Sequence, residues 1–507
     1  MKKVHFYIPV LFAALLGISS CSKDLLEQTS PDQLTTDNFW KSKDKAVGGL
    51  AAAYSQLEGF VGWDNYIEAR SVREFYREDM VVPGRDAYNY AWWMEHFNFS
   101  FTSGNYAIDL LWRENYRGIN FSNQVLENVS AMTVEMIDDA SKKQILAEAR
   151  FLRAYYHFKL LTNFNKIILR DKVPVSPSDL NKSTAERKDA WEFIIADLLA
   201  AEKDLALRSK QPSEEMGRTT KGAAQAYLGK VFLYRAGEDK AGSVPYYTEA
   251  SRWLLEVIKS KEYKLQADFL SMFNGTLRNT PESVFELQQN ADSENGAYYR
   301  SQMNTWLAAE ELGGYGELYG TPQLVTEMTK EGRIAKDGLY DHRIYGTIFF
   351  KDPYFNDAAN PRVYDKTYDA YFGNNQVAFR KWLPLAKNRI TRSNPVNVPL
   401  MRYADVLLLY AEAENELGHG PVAMEQINAV RDRAGMPALT LTDKQAIFKQ
   451  LVHERVMELT IEGSRFYDLR RWGMLEASMT AAGRKFSADK AFYPLPLKET
   501  INNPLTQ

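Results

Sequence analysis

The stretch MRYADVLLLYAEAENELGHGPVAMEQINAVRDRAGMP, Met401–Pro437, decides the fold class. Val406, Tyr410, Ala413 and Leu417 recur at steps of four, three and four, and Ala423, Ile427, Val430 and Ala434 repeat the pattern. At about 3.6 residues per turn, each series lays one apolar stripe along a helix. Between them, His419-Gly420-Pro421 stops one helix and starts the next. Proline suits that position because the first-turn N–H it lacks has no intrahelical partner to lose. The spacing predicts two helices folded back on each other through a tight turn.

Upstream segments repeat the design. In Lys142–Leu161 one apolar series is Ile145, Ala149, Leu152, Tyr156, Leu160 and a second is Ala147, Phe151, Ala154, Phe158, Leu161. A helix apolar on two faces needs neighbours on two sides, as stacked hairpins provide. Lys221–Ala236 and Tyr246–Lys259 form a further pair, with Ala224, Leu228, Val231 and then Ala250, Leu254, Val257 on their apolar faces. The repetition predicts a mostly α protein built on a scaffold of tetratricopeptide-like helical hairpins. From Gln266 to Pro399 the texture changes to Gly, Pro, Asn, Asp and aromatics, and helical periodicity lapses. Alternation in Ser283–Leu287 predicts an isolated strand. This stretch is expected to form a loop-rich, partly β face that carries the ligand site.

The N-terminus has the layout of a secretory leader. Lys2 and Lys3 precede an apolar run, Tyr7 to Ile18, and then Ile18-Ser19-Ser20-Cys21. The run is too short for an ordinary membrane-spanning helix. Small residues leading into a cysteine resemble a bacterial lipobox, so Cys21 is the expected lipidation site. It is also the single cysteine among 507 residues, which removes internal disulfides and thiol catalysis from consideration. The net charge of −3 offers no electrostatic footprint for nucleic acid. These features predict a signal peptide at 1–20, a lipidated polar tether at 21–36 and one folded unit at 37–507. Within that unit, 37–265 is helical, 266–399 is the loop-rich insert and 400–507 is helical again.

No HExxH, GxSxG, P-loop or dinucleotide-binding glycine pattern occurs, and the six histidines lack metal-ligand spacing. The expectation is therefore a binding protein and not an enzyme, with no metal and no cofactor. A sugar site needs flat apolar faces against ring C–H groups, flanked by hydrogen-bonding side chains. Two stretches supply both. One is DAYNYAWWMEHF, Asp86–Phe97, with Trp92 or Trp93 as the platform and Tyr88, Asn89 and His96 as polar neighbours. Adjacent tryptophans on an extended loop would point to opposite sides. The other stretch is Tyr298–Tyr319, contributing Trp306, Tyr315 and Tyr319. Tyr354, Tyr364 and Tyr371 are secondary candidates. The alternating arginines, carboxylates and aromatics of EGSRFYDLRRW, Glu462–Trp472, are read as buried ion pairs that lock the final helices.

Several strings in order resemble the SusD/RagB family. They are Asp37–Leu57, Ala147–Leu161, Met401–Gly418, Ala423–Pro437, HERVMELTIEGSRFYDLRRWG (His453–Gly473) and FYPLPLKETINNPLTQ (Phe492–Gln507). The resemblance implies a helical domain with four tetratricopeptide-like hairpins, anchored by lipid at the outer membrane and facing the cell exterior. It also implies a glycan ligand and a partner, a SusC-like TonB-dependent transporter. A minority of relatives capture peptides, as RagB-like proteins do. A lipid-anchored scaffold that binds proteins through tetratricopeptide grooves is the further alternative.

Overall fold

The computed structural model describes residues 39–57, 73–289, 303–373, 375–391 and 396–506. The expected leader, the tether and Cys21 lie outside them. In chain order the first helices are α1 (Lys43–Ser55), α2 (Ala91–Phe97), α3 (Tyr106–Ala131), α4 (Asp139–Asn163), α5 (Arg187–Asp204), α6 (Lys221–Glu238) and α7 (Ser243–Ser260). The insert carries α8 (Met303–Leu307), α9 (Pro322–Thr329) and α10 (His342–Thr347), and the C-terminal part α11 (Tyr403–Glu416), α12 (Gly420–Arg433), α13 (Lys444–Leu459), α14 (Arg465–Trp472) and α15 (Leu497–Asn502).

The scaffold is a run of neighbours: α1 packs on α3, α3 on α4, α4 on α5, α5 on α6, α6 on α7, α7 on α11, and α11 on both α12 and α13. This is a mostly helical, tetratricopeptide-like arrangement. Both predicted stripes of α4 are buried, because α4 has α3 on one side and α5 on the other. Hairpin α6/α7 closes tightly at Gly229, where an added Cβ would lie 2.4 Å from the Leu254 side chain. The α11/α12 hairpin turns at His419 as its sequence predicts, with Pro421 in the first turn of α12.

The insert leaves the scaffold after α7 and returns at α11, and those two helices pack together. Its base is closed by an antiparallel pair, β2 (Ser283–Leu287) with β6 (Val398–Arg402), in register Ser283↔Arg402 and Leu287↔Val398, and a shorter antiparallel pair, β4 (Ile348–Phe349) with β5 (Ala378–Phe379), lies within it. The strand expected at Ser283–Leu287 is present, but it is buried along its whole length and not one-sided. Contrary to the reading of this region as non-helical, α8, α9 and α10 lie inside it. Helices of one or two turns are too short to show a periodicity.

Buried charge rivets the insert to the scaffold. Arg402 on β6 sits among Glu282, Glu458 (2.8 Å) and Glu462 (2.7 Å). From the insert, Arg343 reaches Glu454 on α13 (2.7 Å), and Lys381 reaches Glu462 (2.5 Å). The Glu462–Trp472 motif acts as expected. Arg465 grips Asp79 through two hydrogen bonds (2.9 and 2.8 Å), Arg471 pairs with Glu412 and Asp468, and the Arg470 guanidinium lies 4.2 Å from the centre of the Phe492 ring.

Candidate binding face

The two aromatic stretches, more than two hundred residues apart, meet through a short antiparallel ladder. Strand β1 (Val81–Pro83) pairs with β3 (Leu318–Gly320) in register Val81↔Gly320, Val82↔Tyr319 and Pro83↔Leu318. Gly84 extends the ladder by donating to the Glu317 carbonyl at 2.9 Å. An added Cβ on Gly84 would lie 1.5 Å from the Gly316 carbonyl oxygen, so only glycine permits this approach. The chain from α8 to β3 is folded on itself: Tyr315 N–H donates to Thr305 O, Gly316 to Ala308 O and Glu317 to Trp306 O.

After β1 the chain makes a 3-10 turn at Asp86–Asn89 and enters α2. Trp92 and Trp93 therefore stand on a helix, not on an extended loop, and project about 100° apart instead of to opposite sides. Asn105 ties α2 to the next helix. Its Oδ1 caps α3 by accepting from Ala107 N–H (3.0 Å) and Ile108 N–H (3.3 Å), while its Nδ2 donates to the Trp92 carbonyl (2.9 Å) and to Glu95 (2.6 Å). The helix ends at Asn98, and Phe99, with φ +54°, turns the chain away.

The rings form a tier running from core to surface. Trp306 is 1% exposed and packs on Tyr76, with centroids 5.8 Å apart. Trp93, 5% exposed, meets Trp306 at 6.4 Å and Trp92 at 5.3 Å, both edge to face. Tyr90 stacks on the outer side of Trp93 at 4.2 Å and is 40% exposed. Tyr88 stands 64% exposed beside it. Trp92 is half-buried against Tyr106 (5.6 Å), and Tyr315 and Tyr319 are half-buried on the insert side. Burial pushes the Tyr319 phenol up to about 12, with the Glu311 charge adding to the effect. The polar rim is Asn89, which donates to Asp86 (2.7 Å), and an exposed Arg85–Glu310 pair (3.1 Å) that crosses from one stretch to the other.

Three expectations change. Trp306 and Trp93 present no open ring face; they are the foundation beneath Tyr90. Neither indole Nε1 finds an acceptor among the described residues, so both rings act by packing. His96 is wholly buried in contact with Tyr493 (2.9 Å) and Asn105 (3.1 Å). Because Asn105 Oδ1 accepts, His96 Nε2 donates to it and Nδ1 accepts from the Tyr493 hydroxyl. Burial, helped by the Arg77 charge, lowers the His96 pKa to about 3, so the ring is neutral and structural. Conversely, Tyr90 was not among the candidate residues. Its signal was present: it lies three residues before Trp93, one helical turn away. Tyr354 and Tyr364 line a separate recess of about 330 Å³ with Arg362 and Arg380. Among the described residues no group of three or more His, Cys, Asp or Glu is placed to hold a metal ion.

Two family models match. Residues 281–504 match the SusD family, and residues 24–233 match the family described as starch-binding, associating with outer membrane. The SusD-like protein P2 of Formosa agariphila is 24% identical over 99% of this chain and 98% of its own length. A SusD-like protein of Bacteroides ovatus is 24% identical over 91% of this chain and 82% of its own. Among solved structures, a SusD superfamily protein from Bacteroides vulgatus superposes with a TM-score of 0.79 at 25% identity, covering 93% of this chain and 99% of that one. A laminarin-binding SusD-like protein superposes with a TM-score of 0.73 at 24% identity, covering 92% and 98%. With the two family matches falling on both halves of a fold that these relatives share from end to end, the chain belongs to the SusD family.

Proposed function

We propose that this protein is a cell-surface lipoprotein that captures an oligo- or polysaccharide and passes it, chemically unchanged, to a partner TonB-dependent transporter of the outer membrane. The observation that carries the reading is the partly exposed aromatic face: Tyr90 backed by buried Trp93, with exposed Tyr88 and half-buried Trp92 beside it. A pyranose ring stacks its C–H face on such a platform, and the Asn89, Asp86, Arg85 and Glu310 side chains offer hydrogen bonds at the edge. The starch-binding family match and the laminarin-binding relative support a glycan over other ligands. A peptide taken up by strand addition needs an open strand edge. Here β1 and β3 are three residues each, and Gly320 N–H is already bonded to Val377 O. Lipid on Cys21 would hold the protein at the membrane, and membership of the SusD family supports a transporter as the partner.

A glycan array probed with protein lacking residues 1–36 tests the reading. Retention of a defined set of polysaccharides, lost in Tyr88→Ala/Tyr90→Ala, is the expected result. Binding of peptides and of no saccharide would overturn it, as would hydrolysis of the bound glycan that survives repurification.

A further inference from the structure

A cleft of about 600 Å³ opens along α3, walled by the segment 168–180 and by α15. That volume lies within the range of small-ligand sites, roughly 300–1,000 Å³. Its walls combine apolar surface, from exposed Leu180 and half-buried Tyr116 backed by buried Trp112 and Ile168, with an excess of positive charge. Five cations line it, Arg113, Arg117, Arg170, Lys172 and Lys498, against two carboxylates, Asp109 and Glu499. In a chain of net charge −3 this concentration is local and not a general property of the surface.

The carboxylates are occupied. Asp109 is shared by Lys498 (3.0 Å) and Arg113 (3.6 Å), and Glu499 accepts from the Trp112 indole (3.1 Å). Arg170 and Lys172 form no ion pair within 4 Å among the described residues, although the Asp179 and Asp171 carboxylates lie near enough to feel their respective charges. The Arg170 guanidinium is held by two backbone carbonyls, Asp179 O at 2.5 Å and Leu180 O, which position it without a direct ion pair. The backbone beneath both cations is fixed. Asn123 donates to the carbonyls of Arg170 and Lys172 (3.1 Å each), and the Tyr116 hydroxyl accepts from Ile168 N–H (2.7 Å) and donates to Ile168 O (2.8 Å). The Arg170 side chain, already held at its guanidinium, loses little freedom when a ligand arrives, which favours affinity.

We propose that this cleft is a second saccharide site, selective for sugars bearing an anionic group, a uronate carboxylate or a sulfate ester. The apolar wall takes the C–H face of a sugar ring, and Arg170 with Lys172 takes the anion through charge-assisted hydrogen bonds. The inference rests on the glycan-capture reading for the identity of the ligand body, but its charge selectivity is a property of these residues alone.

Titration calorimetry on the full folded chain, with tri-galacturonate, its neutral methyl ester, a galactose sulfate oligomer and sodium sulfate, tests it. The acid should bind at least about tenfold more tightly than the ester, with affinity falling as salt rises. Arg170→Gln/Lys172→Gln should lose that preference, and so, partly, should Lys172→Gln alone, whose side chain is exposed and braces nothing. Tyr88→Ala/Tyr90→Ala should retain it. Preference for the sulfate oligomer instead of the uronate would assign the anion as a sulfate ester. Uronate and sulfate oligomer both bound no better than the neutral ester, or the preferred one bound equally by the Arg170/Lys172 variant, overturns the site. So does sodium sulfate competing as well as the trimer, since the apolar wall would then contribute nothing. Failure of every neutral glycan to bind wild type would count against the Tyr88–Tyr90 face, a result the charge preference does not depend on.

Discussion

Tyr90 lies stacked on Trp93, ring centroids 4.2 Å apart and planes 28° from parallel, so an exposed ring rests on a buried one. Trp93 in turn meets Trp306 across the junction of two segments that are distant in sequence. The surface aromatic is thus held by the core, and the two tryptophans that look most like ligand platforms are its support. This relationship separates variants that weaken binding from variants that weaken folding.

Tyr88→Ala and Tyr90→Ala should leave the melting curve close to wild type and weaken glycan binding. Loss of an aromatic anchor costs about 2 kcal/mol at a hot spot, roughly thirtyfold in affinity. Trp306→Ala should instead lower stability by about 3–5 kcal/mol, because it empties a fully packed site. Urea unfolding and calorimetry on the same samples give both readouts. Normal stability of Trp306→Ala would contradict its place in the core.

Cys21→Ala should abolish lipidation and release the protein into the soluble fraction. One acyl chain anchors only marginally, whereas lipoprotein modification adds several. Fractionation followed by mass spectrometry of the N-terminal peptide checks this. An alanine variant that still partitions wholly with the outer membrane in a strain lacking the transporter would rule out the lipid anchor.

His96 should contribute to acid sensitivity. Its pKa falls from 6.5 to about 3 on folding because burial, reinforced by the Arg77 charge, disfavours the imidazolium. Between those values the unfolded chain binds a proton that the folded chain does not. The stability associated with the neutral ring is present above pH 6.5 and is lost as pH falls toward 3, by up to about 1.4 kcal/mol per pH unit. His96→Gln should be less stable than wild type at pH 7, and the gap should narrow at pH 4.5. A gap that stays constant across this range would show that His96 does not titrate differently on folding.

Arg402→Met should destabilise the protein by about 3–5 kcal/mol, since Glu282, Glu458 and Glu462 would lose a shared buried cation. The damage should be felt first where Arg402 sits, at the β2–β6 base of the insert. Limited proteolysis should cut between residues 266 and 399 earlier than in wild type, while the α6/α7 hairpin stays protected. An unchanged digestion pattern would show that the insert is held by other contacts.

The scaffold was legible in the residue order. The steps of three and four through Val406–Leu417 and Ala423–Ala434, the doubled stripe of α4 and the His419-Gly420-Pro421 turn are local signals, and a helix with such a face has few ways to bury it. The Glu462–Trp472 motif was legible too, because arginines among carboxylates and aromatics in an apolar context must pair when buried. Tertiary structure alone decided the fate of the aromatics. Trp93 and Tyr90 differ by one helical turn, yet one is core and the other surface, because the β1–β3 ladder places Trp306 over Trp93 and leaves Tyr90 outside. His96 looked like a polar neighbour of the platform until Tyr493 and Asn105 enclosed it. The cationic cleft likewise draws on residues near 112, 170 and 498, and no window of sequence contains all three. Periodicity reports which face of a helix is apolar; only long-range contacts determine what that face meets, and therefore which rings and charges remain open to a ligand.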